Sequence, residues 1–313
     1  MHRLIEKMQG TEVLVVGDLM LDAYLWGRPT RISPESPVMV VEIERETSVP
    51  GGAANVANNV MALGGSATVV GVVGDDLEGR GLLCQLAEAG AKDASVVEAG
   101  RPTTTKTRLV AQSQQLMRFD KEQVSPLAPA TEEALRASVS AAMAHTQAVL
   151  VSDYAKGVVG TGLARWLVAE CENHGLPLFL NAKPAAAPAF AGASLVTVNL
   201  HEAETLVGRS VEGNEAIARA VRSALGVKAV VVTLGSAGMA WSSENDVGTR
   251  PAVPVEVYDV AGAGDTVITT LALALTHGAT LAEATELASL AASVVVGKLG
   301  VATASAAELS ARV

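Results

Sequence analysis

The chain reads as an α/β protein built on a doubly wound, mostly parallel sheet with helices on both faces. Three observations predict this. Short continuous apolar runs recur, beginning with VLVVGD (13–18) and ATVVGVVGDD (67–76), the pattern of strands buried on both faces. Helical stretches closed by glycine lie between them, such as NVANNVMALGG (55–65) and LEGRGLLCQLAEAG (77–90). Repeated strand–helix units of this kind wind into a parallel sheet covered on both sides. The third observation is a change of texture. TTTKTRLVAQSQQLMRFD (103–120) alternates with a polar centre and reads as a half-exposed hairpin, and PVMVVEIER (37–45) is similar. Neither stretch needs to belong to the main sheet.

The strand–helix alternation resumes near residue 131. Helix TEEALRASVSAAMAHTQ precedes strand AVLVSD (148–153), and helix GLARWLVAECENHG precedes strand LPLFLNA. Strand SLVTVNL leads to helix NEAIARAVRSALG and strand AVVVTLG (229–235), and two helices follow Gly262. With no internal repeat or long linker, residues 1–313 read as a single domain. Ligands of such sheets bind beyond the carboxyl ends of the strands. There the chain places Asp18, Asp22, Asp153, Asn181, Lys183, Asn199, Glu202, Thr233 and Gly235, a set suited to phosphoryl transfer.

Composition narrows the class. Hydrophobic residues make up 49% of the chain but aromatics only 3%, so Ala, Val, Leu and Gly must fill the core. A net charge of −10 argues against a nucleic-acid partner, which needs a basic footprint. Cys84 and Cys171 form no CxxC pair, and no histidines fall at metal-binding spacing. No apolar run approaches a membrane span, and the N-terminus lacks the features of a signal peptide. The expectation is a reduced, cytoplasmic protein with no membrane partner.

Four stretches carry chemistry. In DVAGAGDTVITTLALAL (259–275), glycines 262 and 264 let backbone amides converge at the mouth of an apolar helix, which makes an anion site. Asp265 at that mouth can act as a base beside the anion; the plainer reading is a glycine turn with an aspartate cap. In VPGGAANVANNVMALG (49–64), Gly51 and Gly52 bring backbone close to a ligand and Asn55 opens a helix, or they form a loop and a cap. VTLGSAGM (232–239) places Thr233, Gly235 and Gly238 between strands, in a ligand loop or a plain hairpin turn. NLHE (199–202) puts Asn199 and Glu202 three residues apart on one helix-turn face, as metal partners or as caps.

All four occur in order behind GDLMLD (17–22), and together they resemble the ribokinase-like carbohydrate kinases over nearly the whole chain. PGGAANVANNVMALG is similar to that family's N-terminal signature, DVAGAGDTV to its C-terminal one, and Asn199 with Glu202 to its NxxE motif. VVGDLMLDAYLWG, RISPESPVMVV, QSQQLMRFD, VLVSDYAKG and VVVGKLG resemble the branch that phosphorylates D-glycero-β-D-manno-heptose 7-phosphate at O1. Some members of that branch are fused to a nucleotidyltransferase domain, and only the kinase half is expected here.

The resemblance implies roles. Asp265 would deprotonate the sugar hydroxyl, while Gly262, Ala263 and Gly264 hold the transferring phosphoryl charge. Lys183, Leu200, His201, Thr233, Gly235 and Gly238 would border ATP, and Asn199 and Glu202 would hold Mg2+ through water. Asp18, Asp22, Gly51, Gly52 and Asn55 would meet the sugar. Arg31, Lys106, Arg108 and Lys156 would grip its phosphate; the strand period puts Lys106 and Arg108 on one face. A lid from segments near 23–47 and 94–120 would cover the sugar and pair two subunits into a homodimer. The need for a monovalent cation near Asp259 is left open. Two residues depart from the family pattern: Val260 where Thr is common, and Asn181 where Asp is usual. A Rossmann oxidoreductase is disfavoured because no GxGxxG follows the first strand, and a non-catalytic sensor because Asp265, Asn199 and Glu202 are intact.

Overall fold

The computed structural model describes residues 1–112, 114–208 and 211–313. Its strands are β1 (Glu12–Gly17), β2 (Leu19–Ile32), β3 (Met39–Gly52), β4 (Ser66–Gly74), β5 (Lys92–Asp93), β6 (Val96–Glu98), β7 (Thr104–Ala111), β8 (Gln114–Lys121), β9 (Ala148–Ser152), β10 (Leu178–Asn181), β11 (Leu195–Asn199), β12 (Ala229–Thr233), β13 (Met239–Ser243) and β14 (Val247–Arg250). Its α-helices are α1 (His2–Met8), α2 (Ala53–Ala62), α3 (Leu77–Glu88), α4 (Pro129–Met143), α5 (Thr161–His174), α6 (Leu200–Val207), α7 (Asn214–Leu225), α8 (Ala263–Thr276), α9 (Leu281–Val295) and α10 (Ala306–Ser310).

The main sheet runs β14-β13-β12-β11-β10-β9-β1-β4-β5, with β6 also on β4. It is parallel from β11 through β4, and β12–β13–β14 form an antiparallel meander at one edge. The apolar runs form its centre because each is covered on both faces. On β1, Val13 and Val15 join the core under α2, α8 and α9, while Leu14 and Val16 join the core under α4, α5 and α7. Small aliphatic residues fill both layers, with Phe190 and Trp241 among the few buried aromatics. Among the described residues, no helix is long and apolar enough to cross a membrane.

A second sheet, ordered β3-β2-β7-β8, stands apart from the first. Strands β2 and β3 pair antiparallel over their whole length, β2 and β7 run parallel, and β7–β8 is the hairpin expected from residue alternation. The four N-terminal residues of β2 are buried, and the rest grows progressively exposed. Strand β8 is exposed throughout, and Val38, Met39, Ile43, Met117 and Phe119 lie open on this sheet. The expected lid segments need adjusting. Strands β2 and β3 extend inward to Leu19 and Gly52, beyond 23–47. Residues 96–98 pair with β4 in the main sheet, so of the stretch 94–120 the second sheet takes up only the part from Thr104.

Candidate functional site

Gly262 is the N-cap of α8 with φ 79°, the left-handed region that glycine enters without a Cβ penalty. A Cβ there would also stand 3.0 Å from Asn55 Nδ2. Ala263 and Gly264, the first residues of α8, line a cavity of about 650 Å3. Thr233, Gly235 and Gly238 from the β12–β13 turn line this cavity together with Val260, Ala263 and Gly264. Two motifs about thirty residues apart in the chain thus share one space, of the size typical of small-molecule sites. Its remaining walls are mostly aliphatic, including Val253, Val257 and Val296.

Asp265 sits in the first turn of α8 and is 2% exposed. Its Oδ2 accepts from Asn55 Nδ2 at 2.7 Å, and its Oδ1 accepts from the Tyr154 hydroxyl at 2.7 Å. Burial pushes its pKa up to about 6, against the two hydrogen bonds; the charge of Asp22 adds to the rise and that of Lys183 opposes it. Asn55 is steadied in turn by Asn59, which accepts from the Thr266 hydroxyl at 2.7 Å. Helices α2 and α8 are therefore cross-tied at the carboxylate.

The NLHE stretch forms a capping box at α6. Asn199 Oδ1 accepts from the Glu202 amide, and Glu202 Oε2 accepts from the Asn199 amide, both at 2.9 Å. Glu202 Oε1 also receives Lys183 Nζ at 2.6 Å. Leu200 and His201 are exposed on the first turn of α6 and take no part in this contact. Among the described residues, no group of three His, Cys, Asp or Glu side chains could hold a metal ion. This donor set fits a hydrated Mg2+ carried on phosphates, since Mg2+ keeps several waters and takes few protein ligands. It does not fit an all-protein cage.

On the lid side, Asp22 Oδ1 accepts from Arg108 Nη1, and a Cβ on Gly51 would strike Asp22 Oδ2. Gly52 turns the chain from β3 into α2. The Arg108 guanidinium also lies 5.3 Å from the Tyr24 ring centre. Lys106 takes other partners: Asp120 at 3.0 Å and Glu122 at 3.7 Å. Lys156 reaches the same Glu122 at 2.8 Å. Lys106 and Lys156 therefore meet at one carboxylate, while Arg108 orients Asp22.

Arg108, expected at the phosphate, is tied to Asp22 instead, and two further expected residues stand elsewhere. Asp18 is 1% exposed, and its carboxylate accepts the backbone amides of Tyr154, Lys156 and Val158, so it anchors a loop and has no free face for a sugar. Arg31 pairs with Val40 at the outer end of β2, past the last β7 partner. A strand advances about 3.3 Å per residue, so Arg31 is roughly 30 Å along β2 from Asp22. Reading motifs alone missed Tyr154, Asn59, Glu122 and Asp120. The position of Tyr154 just beyond the carboxyl end of β9 was the available signal for it.

Fold and site together have the form of one class, the carbohydrate kinases. The pfkB family carbohydrate kinase pattern matches residues 10–308, and the chain belongs to that family. It is 42% identical over 310 residues to the bifunctional protein HldE of Paramagnetospirillum magneticum, covering 97% of this chain and 64% of that protein. It is 38% identical to HldE of Sulfurimonas denitrificans over 95% of this chain and 63% of that protein. The chain thus spans under two thirds of the length of these relatives. Phosphofructokinase-2 from Escherichia coli, solved in complex with fructose-6-phosphate, shares the fold at a TM-score of 0.78 and 21% identity, each chain covered over 97%.

Proposed function

We propose that the protein transfers the γ-phosphoryl group of ATP to O1 of D-glycero-β-D-manno-heptose 7-phosphate. The products are ADP and the 1,7-bisphosphate, a step toward ADP-heptose for the lipopolysaccharide inner core. The observation that carries this reading is the position of Asp265, buried between a nucleotide-sized cavity and the base of the lid. Its carboxylate accepts the O1–H proton as O1 attacks the γ-phosphorus and the bond to the ADP oxygen breaks. The amides of Ala263 and Gly264, aligned with the α8 dipole, take up charge on the transferring group. Thr233, Gly235 and Gly238 border the nucleotide, and Lys183 reaches its phosphates. Asn199 and Glu202 would hold Mg2+ through water, and the ion would supply positive charge against the phosphates.

Asp22, Gly51, Gly52 and Asn55 hold the sugar hydroxyls. Lys106 and Lys156 hold the 7-phosphate, which displaces Glu122 from between them. Two half-buried lysines drawn to one carboxylate support an anionic acceptor, as do the heptose-kinase-like stretches and the likeness to HldE. The exposed apolar residues of the lid support a homodimer formed through that sheet. Asp259 closes its loop by accepting from the Ala261 and Gly300 amides, and a monovalent cation, if the reaction needs one, would sit near this loop. The enzyme works in the cytoplasm. The alternative acceptor is another sugar or sugar phosphate. An ATP-consumption assay with the heptose 7-phosphate, free heptose, fructose 6-phosphate and ribose tests the reading. The heptose 7-phosphate should give the highest kcat/KM by at least tenfold, and a preference for any other sugar overturns the assignment. Replacing K+ with Na+ in the same assay tests the cation.

A further inference from the structure

Tyr154 has no role in the site as assigned above, yet the surrounding chain fixes it with unusual care. Its backbone amide donates to Asp18 Oδ2 at 2.7 Å, and two further amides of the same loop hold that buried carboxylate. The next residue, Ala155, has φ 55°, a left-handed conformation that non-glycine residues adopt only when their surroundings enforce it. The enforcing contact is Asp153, whose Oδ1 accepts the Ala155 amide at 2.7 Å and whose Oδ2 accepts the Lys183 amide at 3.0 Å. Two buried carboxylates and one strained residue therefore set the position of a single phenol. That phenol donates to Asp265 Oδ1, and its ring centre lies 5.6 Å from Lys183 Nζ.

We propose that Tyr154 is a positioning residue of the kinase reaction. Its hydroxyl and Asn55 Nδ2 each occupy one oxygen of Asp265, so the carboxylate cannot rotate and its free lone pairs face the acceptor hydroxyl. Its ring carries Lys183 over the same point. The inference rests on Asp265 acting as the base. The phenol keeps its proton throughout, because burial and the neighbouring carboxylate raise its pKa well above the ordinary value. The groups facing Asp265 are Asn55 from α2, Asp22 from β2, Tyr154 from the loop after β9 and Lys183 from the loop after β10. Of these, only Tyr154 and Asn55 donate to the carboxylate.

The test is Tyr154→Phe, assayed with ATP and D-glycero-β-D-manno-heptose 7-phosphate across pH 5 to 9. The kcat should fall roughly tenfold to a hundredfold, the KM for ATP should stay within about twofold, and the acid limb of kcat/KM should move up by about one pH unit as a donor is lost. A lowered melting temperature with an unmoved limb and unchanged kcat means a merely structural tyrosine and overturns the proposal. Incorporating 3,5-difluorotyrosine at position 154 keeps the ring and sharpens the donor, so the limb should move down; an unmoved limb there also overturns it, even if the Phe variant fails to fold. Asp265→Asn separates the two readings. Residual activity above a tenth sinks the base itself, whereas an inactive Asn variant beside an unaffected Phe variant sinks only the role of Tyr154.

Discussion

Asp265 combines two properties that pull against each other: burial raises its proton affinity, and the proposed chemistry needs it ionised. With a pKa near 6, the rate should fall as pH drops below about 6, and a kcat/KM profile with its acid limb near 4 would contradict this. Asp265→Asn should lower kcat by about two to four orders of magnitude, the usual range for a general base. The same substitution should stabilise the fold at neutral pH. The folded-state pKa lies above the unfolded one, so the native protein binds the extra proton between about pH 4 and 6, and stability falls as pH rises through that window. The asparagine carries no such charge. At an upper limit of about 3 kcal/mol, melting at pH 7 should move up and the gain should vanish near pH 4. The lid residues separate in the same manner. Lys156→Ala should raise the KM for the phosphorylated sugar about tenfold and spare free heptose, since a charge-assisted bond contributes roughly 1.5–3 kcal/mol. Arg108→Ala should weaken phosphorylated and free sugars equally, because its loss frees Asp22 and touches no phosphate. If instead Arg108→Ala discriminates between the two sugars, the assignment of Lys106 and Lys156 falls.

The junction between α2 and α8 determines whether Asp265 is held at all. Gly262→Ala forces a Cβ into the left-handed region, at about 1–2 kcal/mol, and crowds Asn55. Denaturant unfolding should show a loss of that order, with kcat falling further than stability alone explains; full activity would mean that Asn55 does not matter. Most elements at this scale were legible in the sequence, because apolar runs and glycine stops are local signals of burial and capping. VLVVGD became β1 and NEAIARAVRSALG became α7 for that reason. The residues that touch one another were less legible. Tyr154 meets Asp265 across 111 positions, a pairing that no local period encodes. Asp18 reads identically in sequence whether it faces a sugar or three amides, and only the path of the loop after β9 decides. Arg31 was misplaced because a basic residue near a lid motif was read as near the ligand, although the strand carries it outward.

At the scale of the molecule, the second sheet presents an open apolar face. Val38, Met39, Ile43, Met117 and Phe119 present apolar surface on a sheet with little core of its own, a liability unless another chain covers it. Phe119→Glu with Met117→Lys should yield monomers in sedimentation velocity, whereas an unchanged sedimentation coefficient would exclude this face as the contact. The monomers should also lose affinity for the sugar more than for ATP. Strand β3 explains why. Its 14 residues run from Met39 on the exposed sheet, past an irregularity at Glu44, to Gly52 at the start of α2, and Asn55 stands on the first turn beyond. An extended strand of that length is about 46 Å long. In the proposed homodimer it would act as a lever: a small tilt where two subunits meet would become a displacement at the amide that holds Asp265. Dilution would therefore act on this enzyme as an inhibitor does, through the angle of one β-strand and without anything entering the site.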